Sequence, residues 1–109
     1  MVYLTDVLEK LNSLNIPLAY GYFEDSHAFP YMVYGVVSKD PLSYSDNKVE
    51  TYSVEYQLDL YTEQKDFELQ GMIEKEFESL GLSFSESESV VKSEHCYVCV
   101  FYFTLTERI

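Results

Sequence analysis

The sequence has 109 residues, 47% of them hydrophobic, with eleven Tyr, seven Phe and a formal charge of −12. That length fits one domain with a single core, and the apolar content excludes a disordered chain. Nineteen acidic residues against seven basic ones exclude a chain built to grip nucleic-acid phosphates. No run approaches the roughly 18 apolar residues of a membrane span. No charged-then-apolar signal segment opens the sequence, so the two cysteines are expected as reduced thiols in a cytosol.

Leu4, Val7, Leu8, Leu11 and Leu14 recur at helical spacing, with Asp6, Glu9, Lys10 and Asn12 on the other side. Thr5 is the expected N-cap, and Asp6 suits the helix dipole. Asn15-Ile16-Pro17 ends the helix, since the residue before a proline is pushed out of the helical region. Ala19 to Phe23 reads as a short strand bent at Gly21, and Glu24 to Phe29 as a polar loop closed by Pro30. Tyr31 to Ser38 is rich in strand formers. Lys39 to Glu50 mixes Asp, Pro, Ser and Asn without apolar period and reads as a long connection between two adjacent strands, the exposed tip of a hairpin. Such a connection is usually functional or mobile in so small a domain.

Thr51 to Thr62 alternates almost without fault. Tyr52, Val54, Tyr56, Leu58 and Leu60 leave on one face, and Ser53, Glu55, Gln57 and Asp59 on the other. A one-residue slip would turn five large side chains outward, so the register is strongly set. Glu63 to Asp66 is a turn ending in a capping residue. Leu69, Met72, Ile73, Phe77 and Leu80 then form a helical stripe, with Gly81 as its C-terminal cap. Leu82 to Glu88, extended by Val90 and Val91, reads as an edge strand guarded by acids. Lys92-Ser93-Glu94 makes a turn. Tyr97 to Leu105 is apolar on both faces and should be a central strand. The order α-β-β-β-α-β-β predicts an α+β domain over 1–109, a mainly antiparallel sheet with two helices on one face.

Chemistry-bearing patterns are sparse. Cys96 and Cys99 have redox or metal spacing, but on a strand residues three apart point to opposite faces; a packed Cys99 and an incidental Cys96 are the expectation. His27 and His95 stand alone in loops without ligand spacing. Glu55 and Asp59 share a strand face about 13 Å apart at the normal rise, too far for a catalytic carboxylate pair. No catalytic, cofactor-binding or metal-ligating set is expected. The tyrosines serve either as sheet filling or as a binding surface.

Three stretches carry a family resemblance: Pro30-Tyr31-Met32-Val33-Tyr34 after a helix and short strand, Val54 to Tyr61 running into a helix through Thr62-Glu63-Gln64-Lys65-Asp66, and the aromatic strand Tyr97 to Thr104. Together they resemble the tail-completion (tail terminator, or head–tail joining) proteins of long-tailed bacteriophages and prophages. The opening Leu14 to Gly21 is most similar to versions from phages of Gram-positive hosts. The resemblance implies a structural, non-enzymatic virion protein without cofactors. It would form a ring, usually a hexamer, that caps the tail tube and joins it to the head connector. DNA would pass through without specific binding, and assembly would take place in the host cytoplasm. The connection then becomes the candidate assembly interface, through Lys39, Asp40, Pro41, Leu42, Ser43, Tyr44, Ser45, Asp46, Asn47 and Lys48. The competing class is an acidic α+β binding module of inhibitor or DNA-mimic type, which would be a monomer or dimer.

Overall fold

The chain runs α1 (Leu4–Asn12), β1 (Leu18–Tyr20), β2 (Tyr31–Ser45), β3 (Lys48–Thr62), α2 (Phe67–Ser79), β4 (Phe84–Val91), a 3₁₀ turn (Lys92–Glu94) and β5 (Cys96–Arg108). This is a computed structural model, and it describes residues 2–22 and 28–108. The strands form one sheet in the order β1-β2-β3-β5-β4. Only β1 and β2 run parallel; the other neighbours are antiparallel. The α+β class and element order are those expected from the sequence.

The alternation of β3 determines where the core lies. Val54, Tyr56, Leu58 and Leu60 are buried, and across the β3–β5 ladder they face Leu105, Phe103, Phe101 and Cys99. Met32 of β2 stands opposite Leu60. Val7 and Leu11 of α1 and Leu69, Ile73 and Phe77 of α2 complete this cluster, so both helices cover the same face. Phe77 is fully buried among the rings of Phe84, Phe101 and Phe103, with centroids 5.3, 5.7 and 5.2 Å away. Tyr56 reaches the core with its ring and keeps its hydroxyl satisfied by donating to the Glu107 carboxylate.

The helix ends follow local chemistry, with one correction. The N-cap of α1 is Tyr3, not Thr5, which lies inside the helix. Asp6 reaches back to accept the Tyr3 backbone N–H at 2.9 Å, so the carboxylate three residues on governs where the helix starts. Asp66 caps α2 as expected, accepting from the Leu69 N–H at 2.9 Å. At the other end Gly81 takes φ +69°, its N–H bonding to Glu78 and that of Leu82 to Phe77, the paired bonds of a Schellman ending. β1 stops at Tyr20, before Gly21 with φ +79°; the expected strand continued to Phe23, which lies outside the described residues, as do Glu24 to His27.

The larger correction concerns Lys39 to Glu50. These residues are not a loop. β2 runs on through Ser45, and β3 begins at Lys48, leaving only Asp46 and Asn47 as the turn. Both turn residues have positive φ, 51° and 63°, the type I′ geometry that matches the twist of a two-residue hairpin. The apolar period is missing because this arm extends past the helices and has no core to face. Its register is also interrupted by irregularities between Val36 and Ser38, Pro41 and Ser43, and Ser43 and Tyr44. Asp and Asn are among the few non-glycine residues that adopt the left-handed region readily, so this turn is carried by their side-chain type.

Candidate functional site

Every residue of the expected assembly segment therefore lies on a β-hairpin. Lys39 to Ser45 are in β2, Asp46 and Asn47 make the turn, and Lys48 opens β3. Lys39 is opposite Val54 in the ladder, and its ammonium lies 4.4 Å from the centre of the Tyr52 ring. Ser43 and Thr51 join the two strands through their hydroxyls at 2.6 Å. Leu42 and Tyr44 are more than half exposed, at 55% and 65%. Lys48 is exposed and makes no ion pair among the described residues. The outer edge of β2 is paired with β1 only from Met32 to Tyr34, and beyond that Pro41, Lys39 and the bulges guard it against stray strands.

The sheet face away from the helices is the second feature. Val33 and Gly35 of β2, Glu55, Gln57 and Asp59 of β3, and Val98, Val100 and Tyr102 of β5 lie on it. None of them belongs to the helix-covered core cluster. Tyr31 and Tyr61 stack at one end with ring centroids 4.7 Å apart, and Phe29 stacks on Tyr31 at 5.6 Å. Gly35 lines a depression of about 280 Å³ together with Val33, Val37, Gly21, Gln57 and Asp59. At about 30 Å³ per water molecule, that is room for several waters or for an entering side chain. A Cβ placed on Gly35 would meet nothing within 4 Å. At the rim Gln57 Nε2 donates to Asp59 Oδ1 at 2.8 Å. Burial raises the Asp59 carboxyl above its ordinary value, opposed by the Gln57 hydrogen bond. Among the described residues no cation pairs with it.

A third cluster lies between α2 and the edge strand β4. Glu88 pairs with Lys65 and accepts from Gln70 Nε2 at 2.8 Å. The thiol of Cys99 is 3.8 Å from the Glu86 carboxylate. Desolvation and the neighbouring Glu74 carboxyl push Glu86 up to about 7, while Cys99 and Lys65 pull the other way. Burial is the larger of the two causes that raise Glu86, and the facing Glu74 carboxyl adds to it.

The remaining candidates separate in space. Cys96 and Cys99 are both free and both buried. Cys96 is thus not incidental: it packs on the open face close to Glu94, Tyr31 and Tyr61, and burial raises its thiol above the ordinary value. His95 takes a left-handed conformation, φ 52°, closing the 3₁₀ turn, and His27 lies outside the described residues. Glu55 and Asp59 share the open face with Gln57 between them. The tyrosines divide, Tyr56 being buried while Tyr20, Tyr22 and Tyr44 are largely exposed. Among the described residues no group of three or more His, Cys, Asp or Glu side chains could hold a metal ion, and no helix is long and apolar enough to cross a membrane.

The depression at Gly35 was missed in the sequence. Its only trace is a glycine in a strand interior, which often marks a close approach by another group. No known protein-family model matches the sequence, and no match is found among curated proteins.

Proposed function

We propose that this chain is a ring-forming structural protein of the tail-completion type, acting in a long-tailed phage or prophage virion. Copies close on one another, as a hexamer by the resemblance, to cap the tail tube and join it to the head connector. It assembles in the host cytoplasm, has no catalytic role, and lets DNA pass without specific binding. The observation that supports this most is the hairpin arm: a two-stranded projection bearing exposed Leu42 and Tyr44 and ending in Lys48, on a body whose own core is already closed. Large exposed apolar side chains on a projection serve contacts outside the chain. The −12 charge suits a surface along which DNA slides without sticking.

The test shortens the arm. Replacing Pro41–Tyr52 by Asn-Gly joins Asp40 to its ladder partner Ser53 through a two-residue turn. The domain should still melt cooperatively while ring formation and attachment to tail tubes are lost. Wild-type rings should grow more stable with salt, because screening relieves repulsion between acidic copies. Normal rings from the shortened chain, or wild-type protein that stays monomeric even with tail tubes present, would refute the reading.

A further inference from the structure

We infer that the open face of the sheet is the seat for the hairpin arm of a second copy, with Lys48 of that copy entering the depression at Gly35 beside Asp59. The inference rests on the ring reading and names the surfaces that would make the ring.

Four observations converge on it. The face is a sheet surface with partly buried Val100 and Tyr102 and no helix over it. Its depression has room for an entering side chain and a carboxylate at its rim, half-buried and without a cation among the described residues. The arm carries the complement: exposed Leu42 and Tyr44 to lie on the apolar strip, and an exposed lysine at its end. Of the two arm lysines, Lys39 is engaged on its own Tyr52 ring, which leaves Lys48. A lysine buries its aliphatic stem against apolar walls while its ammonium meets a carboxylate, which fits Val33 and Val37 as walls and Asp59 as the terminus. Lysine also suits a single carboxylate better than arginine, whose fork wants a bidentate partner, and one oxygen of Asp59 is already taken by Gln57.

Donor arm and acceptor face are different patches of one chain, so the contact is head-to-tail. Repeated by rotation it closes into a ring; repeated without closure it gives a filament. The arm of a strongly acidic body is close to neutral, with two lysines against Asp40, Asp46 and Glu50. It therefore adds little to the like-charge cost of bringing two such bodies together.

The experiment is a charge exchange followed by light scattering after size exclusion at moderate salt. Asp59→Lys and Lys48→Asp should each weaken self-association by about tenfold or more, and the double variant should recover it to within about threefold. Gly35→Val narrows the depression without changing charge. Nothing stands near its Cβ, and a β-branched residue favours a strand, so its melting temperature should hold or rise while association is lost. Single variants that assemble like wild type, or a double variant no better than the singles, would overturn this seat while leaving the ring reading standing. Wild-type protein that never self-associates, alone or with tail tubes, would overturn both.

Discussion

Two phenylalanines of α2, ten residues apart, give a sharp test of how the helix packs. Phe77 is fully buried, with three aromatic rings within 5.7 Å, whereas Phe67 at the helix start is 78% exposed. Phe77→Ala removes an entire ring from a closed cluster and leaves a cavity that Phe84, Phe101 and Phe103 cannot all collapse into. Such truncations cost about 3–5 kcal/mol, and the lost ring pairs place this one toward the upper end. A domain of this size has a total stability of about 5–15 kcal/mol, so the variant would stand near the edge of unfolding. Phe67→Ala loses only an exposed ring and its contact with the Lys65 ammonium 4.8 Å away, worth about 0.5–1 kcal/mol. Urea titration followed by far-ultraviolet circular dichroism reads both, with the slope expected to match wild type. A Phe77→Ala midpoint within about 1 kcal/mol of the Phe67→Ala one would refute the placement of α2 on the sheet.

Tyr56→Phe should cost about 1.5–3 kcal/mol through the lost bond to the Glu107 carboxylate. Burial and that bond raise the Tyr56 hydroxyl well above its ordinary value of 10, so its contribution is complete below pH 10 and fades as pH rises above it; alkaline melts of the two proteins should converge. Glu86 behaves in the same sense at lower pH. Its folded-state value is raised from 4.5 to about 7, so the folded chain holds the proton more tightly and loses stability as pH climbs through that window. Glu86→Gln should flatten the loss in thermal melts from pH 4 to 8, by under about 1 kcal/mol because the group is solvent-screened; an unchanged slope would place the titration elsewhere. At the hairpin turn, Asn47→Val puts a β-branched residue at φ 63° and should cost about 1–3 kcal/mol by melting, while Asn47→Gly should cost nothing.

Most of the architecture was legible because it rests on short-range rules. The period of β3 identified its buried face, Asp66 and Gly81 bounded α2, and the two-sided apolar character of residues 97–105 marked β5 as central. The arm was not legible, because strand periodicity is written by burial on one side and this segment has none. Pro41 and the serines, read as loop chemistry, are instead edge-strand chemistry. Thr5 failed as a cap because Asp6 competes for the same helix start from three residues inside. Cys96 was expected to be incidental because a strand puts it on the face opposite Cys99; Tyr31 and Tyr61 lie beside it there. The Gly35 depression depends on β2 and β3 meeting in register beside Gly21, and no local pattern reports that.

The order β1-β2-β3-β5-β4 places the last strand to be synthesised between two that were made earlier. Until residues 96–108 emerge, β4 has no partner at all, and one side of β3 is an open ladder beside a finished hairpin. Translation at about 5–20 residues per second leaves that ladder waiting for seconds, long compared with the microseconds a hairpin needs to form. The nascent chain is thus a half-built sheet with one edge of β3 unpaired, dependent on late insertion instead of sequential growth. A fragment ending at Glu94 should accordingly show α1 and the hairpin as fluctuating structure and lack a cooperative melt. A cooperative transition in that fragment would mean the first three strands and two helices form a core without their central neighbour.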